Sequence, residues 1–530
     1  MGCGGGDSEK LFQQNGGSGG SSGSSGHAGQ GSLFGGSGGV AGDEGAAGDE
    51  GPGGSDDPFG GAGTSSSGTG GTTTGGKGGT SAGGKGGASV GGAAGSTSPG
   101  GGQGGTTVEP TGPVRRARVA TLTELSVWQA VKVTLVSGGV PVKEPNAPVV
   151  AGRAALVRAY VSPGPGFTAR TLRAELRVDD GIGNVAVLSD EHLVSGASTD
   201  ATLASSFAFE LTAAQVTPET RLSVTLIDDT EPPDDAHEVT SAELPAGGTP
   251  LAVGAQAQGA PVRITLVPLR YDTDGSHRLP DTSPAQLARY ESTLRAVYPI
   301  TDVTLTVHSV VPWSKSLYFG DVNFSAINAM LLDLKADDNA PSEEYYYALI
   351  SPDEDLDAYL AHASVTGQSY VVEEADYGDY RVGGGMGFGT EDSTWTLAHE
   401  LGHLHGRSHS PCGTSSYDKS FPYKSGNIGV WGYDQRTKKL LGSTKSYDLM
   451  SYCDPLWISD FTYAAIFERV QQVSALSGGS SLVGPLTSWA TLLEHEDGSF
   501  EQGPVVRQRG GHEGRVPLSH GGAVWFAPAP

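Results

Sequence analysis

The sequence predicts a multidomain chain: a disordered Gly/Ser-rich N-terminal tether, an all-β sandwich-like module, an α+β domain and a short C-terminal extension. Three observations carry this reading. Residues 4 to about 112 are almost wholly Gly, Ser, Thr and Ala; the next stretch alternates apolar and polar residues with period two; and beyond Pro261 strand-like and helix-like runs alternate up to a histidine-rich helix. The boundaries drawn are 1–112, 113–258, 259–476 and 477–530.

The tether has too little apolar surface to offset its chain entropy. It holds much of the total of 83 glycines, so the 36% hydrophobic content understates the part that folds. The chain opens Met1-Gly2-Cys3-Gly4 with no apolar segment before Cys3, and no run of about 18 apolar residues occurs that could span a membrane. A Gly-Cys pair opening a long tether resembles the mature start of a bacterial lipoprotein. That resemblance implies a lipid anchor at Cys3 and a secreted or cell-surface protein of the outer-membrane lipoprotein kind, touching a membrane only through the anchor. The alternatives are an ordinary cytosolic start and a myristoylated one, the latter disfavoured because Gly6 stands where Ser or Thr is required. With 59 acidic against 33 basic residues the formal charge is -26, which argues against nucleic acid and anionic membrane surfaces as partners. A monomer is expected.

In the second region Val131–Val136, Ala155–Val161, Ala174–Val178, Phe207–Leu211 and Arg221–Ile227 alternate and are separated by Gly, Pro and Asp turns, the pattern of an antiparallel sandwich. It carries no catalytic constellation and reads as a spacer or substrate-binding module. Its acidic stretch Asp228–Asp235 reads as a solvated loop, with calcium binding as the alternative.

In the third region Val262–Pro268, Val303–His308 and Tyr345–Ile350 read as strands, and Ser283–Val297 and Phe324–Leu334 as helices. Asp272 and Asp274 miss the spacing of a calcium loop and read as a turn. A helix opening at Asp392 or Ser393 presents Trp395, Leu397 and Leu401 on its apolar side, and a closing helix covers Asp460–Val473. The extension after residue 476 holds strand-like runs such as Trp489–Leu493, to which no task is assigned.

Residues 399 to 409 read His-Glu-Leu-Gly-His-Leu-His-Gly-Arg-Ser-His. Spacing i, i+4 puts His399 and His403 on one helix face, and Gly406 lets the chain turn so that His409 approaches from another side. Three neutral imidazoles are the donor set of a catalytic zinc ion, which keeps a fourth position open for water. Glu400 is placed to take a proton from that water and pass it to a leaving amine. The competing reading is a helical turn rich in histidine, and His405 is an imidazole that the pattern does not use.

The segment resembles the metzincin clan of zinc endopeptidases, whose H-E-x-x-H-x-x-G-x-x-H signature it matches at every fixed position. The resemblance implies a metzincin-like catalytic domain with a methionine turn, for which Ser446 to Cys453 offers Met450 as an apolar floor under the ligands. Tyr452 stands where the astacin and serralysin types carry a tyrosine that reaches the metal or the oxyanion; a locally satisfied half-buried phenol is the other reading. Ser410 departs from the acidic residue common after the third histidine and leaves the subfamily open. By the same resemblance the Gly-rich run Arg381–Thr390 would be the cleft rim on which an extended substrate lies; a flexible loop is the alternative. Cys412 and Cys453 flank the site, and a disulfide between them suits an exported chain, against two buried free thiols.

The expectation is therefore an extracellular zinc endopeptidase acting on proteins or glycoproteins. A β module ahead of such a domain looks like the layout of bacterial mucin-degrading metalloproteases. The competing readings are a non-catalytic surface binding protein with a structural metal and a zinc amidase acting on cell-wall peptides. Retention of Glu400 weighs against the first, since a structural site needs no base.

Overall fold

The computed structural model describes residues 114–233, 240–317, 324–476 and 485–529; the tether and Cys3 lie outside them. Period-two alternation becomes two antiparallel sheets. The first orders its strands Val140–Pro141, Lys132–Ser137, Ala120–Trp128, Ala155–Pro163, Phe207–Leu211. The second orders Leu251–Ala252, Arg221–Ile227, Arg170–Asp179, Val185–Val194, with Glu243–Leu244 also pairing Arg221–Ile227. In Arg170–Asp179 alternate residues Leu172, Ala174, Leu176 and Val178 are buried, as half-buried strands require. Val185–Val194 escaped the sequence reading because it pairs on one side only and its residues are mostly part-exposed, blurring the alternation. Within the acidic stretch, buried Asp228 is committed to Arg170 at 2.5 Å and to the Thr230 hydroxyl and amide.

This β region is seated on the α+β domain. The buried Arg153 guanidinium donates to the carbonyls of Tyr298 and Ala296, and the Trp457 indole donates to Ala130 O at 2.8 Å. The described residues belong to one compact unit.

The α+β domain is built on a sheet ordered Val303–Val307, Val262–Tyr271, Glu344–Ile350, Val382–Met386, Gly367–Ser369. Its pairings are parallel except for the last strand, which runs antiparallel at the edge. Helices Pro284–Val297, Phe324–Asp337 and Glu391–Leu404 pack around it. The first opens as read, with Ser283 Oγ accepting from Gln286 N at 3.3 Å and Pro284 in the first turn.

The glycine run corrects the sequence reading. Val382–Met386 is neither rim nor loop but a fully buried interior strand, flanked by Glu344–Ile350 and Gly367–Ser369. Its glycines answer to packing: a Cβ on Gly385 would fall 2.2 Å from Tyr347 Oη, and one on Gly383 would fall 2.6 Å from Ser369 Cβ. The edge strand is Gly367–Ser369.

The extension folds as Thr487–Glu494, Phe500–Gln502, Val506–Gln508, Gly514–Pro517 and Ala523–Pro528, one five-stranded sheet. Phe526 packs on Tyr370 and Tyr380, with ring centroids 6.3 and 4.9 Å away. Residues 517–519 continue along the edge strand, through Val371 N to Pro517 O at 3.0 Å and Ser519 N to Ser369 O at 2.8 Å.

Candidate metal centre

The Glu391–Leu404 helix is capped by Thr390, whose hydroxyl accepts from Ser393 N at 3.3 Å, so neither Asp392 nor Ser393 is the cap. Both Glu391 and Asp392 then fall in the first turn, where carboxylates suit the helix dipole. At the other end Arg407 N bonds Gly402 O at 3.0 Å and Gly406 N bonds His403 O at 2.8 Å, a Schellman closure with Gly406 at φ 79°. A Cβ on Gly406 would approach Val372 O to 2.8 Å. The turn sends the chain back so that His409 meets the helix face bearing His399 and His403.

The three imidazoles converge. His403 Nε2 lies 3.1 Å from both His399 Nε2 and His409 Nε2, and the three form the one metal-capable cluster of His, Cys, Asp and Glu found among the described residues. A tetrahedral ion with bonds of about 2.0–2.1 Å to nitrogen spaces its ligands about 3.3 Å apart, so the donor set fits zinc. The second ring nitrogens face backbone carbonyls: His399 Nδ1 lies 2.8 Å from Leu449 O and His403 Nδ1 lies 2.6 Å from Arg407 O. Donation from Nδ1 fixes the tautomer and turns the Nε2 lone pairs inward. Burial holds all three imidazoles below the usual histidine range, His403 at about 3, so they are neutral and ready to bind metal. His405 is buried on a different side, stacked on Tyr345 with its Nδ1 2.6 Å from Leu401 O.

Beneath the ligands, Asp448 fixes the methionine turn by accepting from Met450 N at 3.0 Å, Ser459 N at 2.9 Å and the Thr462 hydroxyl at 3.0 Å. Met450 is buried, and a Cβ on Gly402 would fall 2.4 Å from its sulfur, which explains the small residue between the two helical histidines. Ser410, the departure from the resemblance, is buried and ties the loop to the turn through its amide on Met450 O at 2.9 Å. Cys412 and Cys453 form the disulfide, closing the same loop onto the same turn across a separation of 41 residues.

Glu400 is buried beside the ligands. Its Oε2 accepts from Ser369 Oγ at 2.7 Å and Ser519 Oγ at 3.1 Å, leaving Oε1 to face His520 Nε2 at 3.6 Å. Burial raises the carboxyl, but the adjacent imidazoles of His520, His403 and His399 outweigh it and hold it at about 2. Glu400 is thus a carboxylate at neutral pH. Tyr452 Oη lies 2.6 Å from His409 Nε2 and 3.0 Å from His520 Nδ1.

Ser369, Ser519 and His520 were not singled out in the sequence. Ser369 ends a short edge strand and Ser519 sits in the turn docked on it, a pairing invisible before folding. His520 carried one weak signal, a histidine followed by Gly521-Gly522, the composition of a tight turn.

Two cavities flank the cluster. One of about 350 Å³ is lined by Thr366, Trp395, His399, Glu400 and Leu456; the other, of about 760 Å³, by His403, His409, Tyr417 and Arg469. Tyr452 and His520 line both.

Among curated proteins no relative matches the chain. Residues 356–457 match the Peptidase M66 family, a family of zinc metallopeptidases, and this matched segment spans the edge strand, the histidine helix, the disulfide and the methionine turn. The chain is accordingly a hydrolase of the zinc metallopeptidase kind.

Proposed function

We propose that the protein is an extracellular endopeptidase that cleaves proteins or mucin-like glycoproteins at this centre. The observation that carries the reading is the placement of a buried, ionised Glu400 beside three neutral, converging imidazoles within the matched segment. A structural metal would need no such base. The disulfide supports an oxidising, extracytoplasmic setting, and the match to a family that includes mucin-degrading enzymes supports the glycoprotein class.

His399, His403 and His409 would hold zinc, which when bound polarises a carbonyl and acidifies a water. Glu400 Oε1 takes the water proton as the oxygen attacks the carbonyl carbon. Glu400 then returns that proton to the amide nitrogen as the C–N bond breaks, and the remaining water proton passes from the new carboxyl group to the amine, giving a carboxylate and an ammonium. Ser369 and Ser519 keep Oε2 occupied, so one carboxylate oxygen is presented to the reaction. Tyr452 donates to the oxygen on which negative charge develops.

The test is incubation of the full-length chain with casein, a mucin-type glycoprotein and cell-wall peptides. Casein or mucin cleavage that a chelator abolishes and zinc restores is the expected result. Zinc-loaded protein that cleaves neither refutes the reading, and hydrolysis of cell-wall peptides alone would make it an amidase.

A further inference from the structure

We infer that His520, delivered by the C-terminal sheet, is a positioning residue of the hydrolytic site that orients the Tyr452 phenol, an inference that rests on the peptidase reading above. His520 sits at the tip of a tight turn between Gly514–Pro517 and Ala523–Pro528. Leu518 N bonds Gly522 O at 3.3 Å, and Gly521 and Gly522 take φ of 83° and 68°, which glycine adopts without strain. The turn is fastened to the edge strand by Ser519 N on Ser369 O at 2.8 Å and Ser369 N on Ser519 Oγ at 3.0 Å. Its imidazole is nearly buried, at 9% side-chain exposure, and lies almost parallel to the Tyr452 ring with centroids 6.0 Å apart.

The contacts give the residue a task. The His520 Nδ1 to Tyr452 Oη contact at 3.0 Å, made by a ring held in place by its turn, sets the direction in which the phenol is aimed. His409 Nε2, the other neighbour of that oxygen at 2.6 Å, has no lone pair to offer once it is a ligand. The His520–Tyr452 pair also lines both cavities beside the cluster, so it borders whatever occupies either. The sheet with no task in the sequence thus contributes a residue to the site, against Tyr452 and Glu400.

The experiment measures kcat, KM and zinc content of full-length wild type, His520→Phe, His520→Asn, Tyr452→Phe and the His520→Phe/Tyr452→Phe double variant on a fluorogenic peptide. Phe keeps the volume without a polar atom, and Asn keeps a donor near the position of Nδ1. His520→Phe is expected to lower kcat about 10-fold, the scale of an outer partner in a metal site, with KM within about twofold and zinc unchanged. Asn should restore most of that loss. In the Tyr452→Phe background, His520→Phe should cost clearly less than the roughly 10-fold seen in wild type, because of its two neighbours only Glu400, at 3.6 Å, remains. An unchanged or raised kcat in His520→Phe, or a full 10-fold loss in both backgrounds, overturns the inference. A wild type that hydrolyses no peptide fails the peptidase reading and takes this inference with it; an active wild type beside an indifferent His520→Phe fails the inference alone.

Discussion

The floor and the roof of the cleft are built by opposite means. The floor is the Glu391–Leu404 helix with its return loop and methionine turn, in which the Schellman closure, the Asp448 hydrogen bonds, the Ser410 to Met450 bond and the Cys412–Cys453 disulfide all fix one short stretch of chain. The roof is the Leu518–Gly522 turn, held to the edge strand by a few backbone bonds and aimed by two left-handed glycines. The floor bears the groups that hold the metal, where small displacements break coordination. The roof bears groups that adjust Glu400 and Tyr452, where displacement changes rate. Damage to the floor should therefore appear as lost zinc, and damage to the roof as lost turnover with zinc retained.

The largest effect belongs to His403→Ala. His403 is the central ligand, with both partners at 3.1 Å, and its removal should weaken zinc binding more than about 100-fold, beyond what outer partners cost, and abolish hydrolysis. Zinc titration with a competing chelator checks this; undiminished affinity would mean the metal sits elsewhere.

Next comes Gly406→Ala. It forces a side chain into φ 79° against a backbone carbonyl, a cost of at least about 1–2 kcal/mol, and tilts the approach of His409. Thermal denaturation should show a lowered Tm and metal analysis a loss of zinc. The roof counterpart, Gly521→Ala, carries the same left-handed strain at φ 83° but meets the flexible Glu496 side chain instead of a backbone carbonyl. It should cost less stability and lower kcat with zinc in place. If both variants lose zinc equally, the division between floor and roof is wrong.

Acid should separate the two regions gradually. Unfolded histidine takes its proton near 6.5, whereas folded His403 resists until about 3, so the unfolded, metal-free chain binds more protons between these values. Stability and zinc retention are full above about pH 6.5 and fall as pH drops towards 3. Glu400, held at about 2 against an ordinary 4.5, acts with the same sign at lower pH. Zinc release followed against pH checks the window, and release only above pH 7 would contradict it.

Legibility in the sequence followed the same division. The ligands and Glu400 were readable because helix periodicity and one glycine fix their geometry within eleven residues. The strands of the β region were readable where one face is buried, as in Phe207–Leu211, and not in Val185–Val194. Glycines 383 to 385 were misread because a missing side chain looks the same whether it admits a substrate or makes room for Tyr347 and Ser369. The Ser519 and His520 contacts to Glu400 join residues more than a hundred positions apart, and no local pattern encodes such pairing.

The central claim is that one zinc held by three imidazoles and one carboxylate base form a single hydrolytic centre. Metal content and peptide turnover measured on the same samples of wild type and Glu400→Gln test it most directly. The prediction is one zinc per chain in both, with turnover in the variant reduced by about 10²–10⁴. Equal turnover in both proteins, or a wild type that cleaves peptide without zinc, would contradict it.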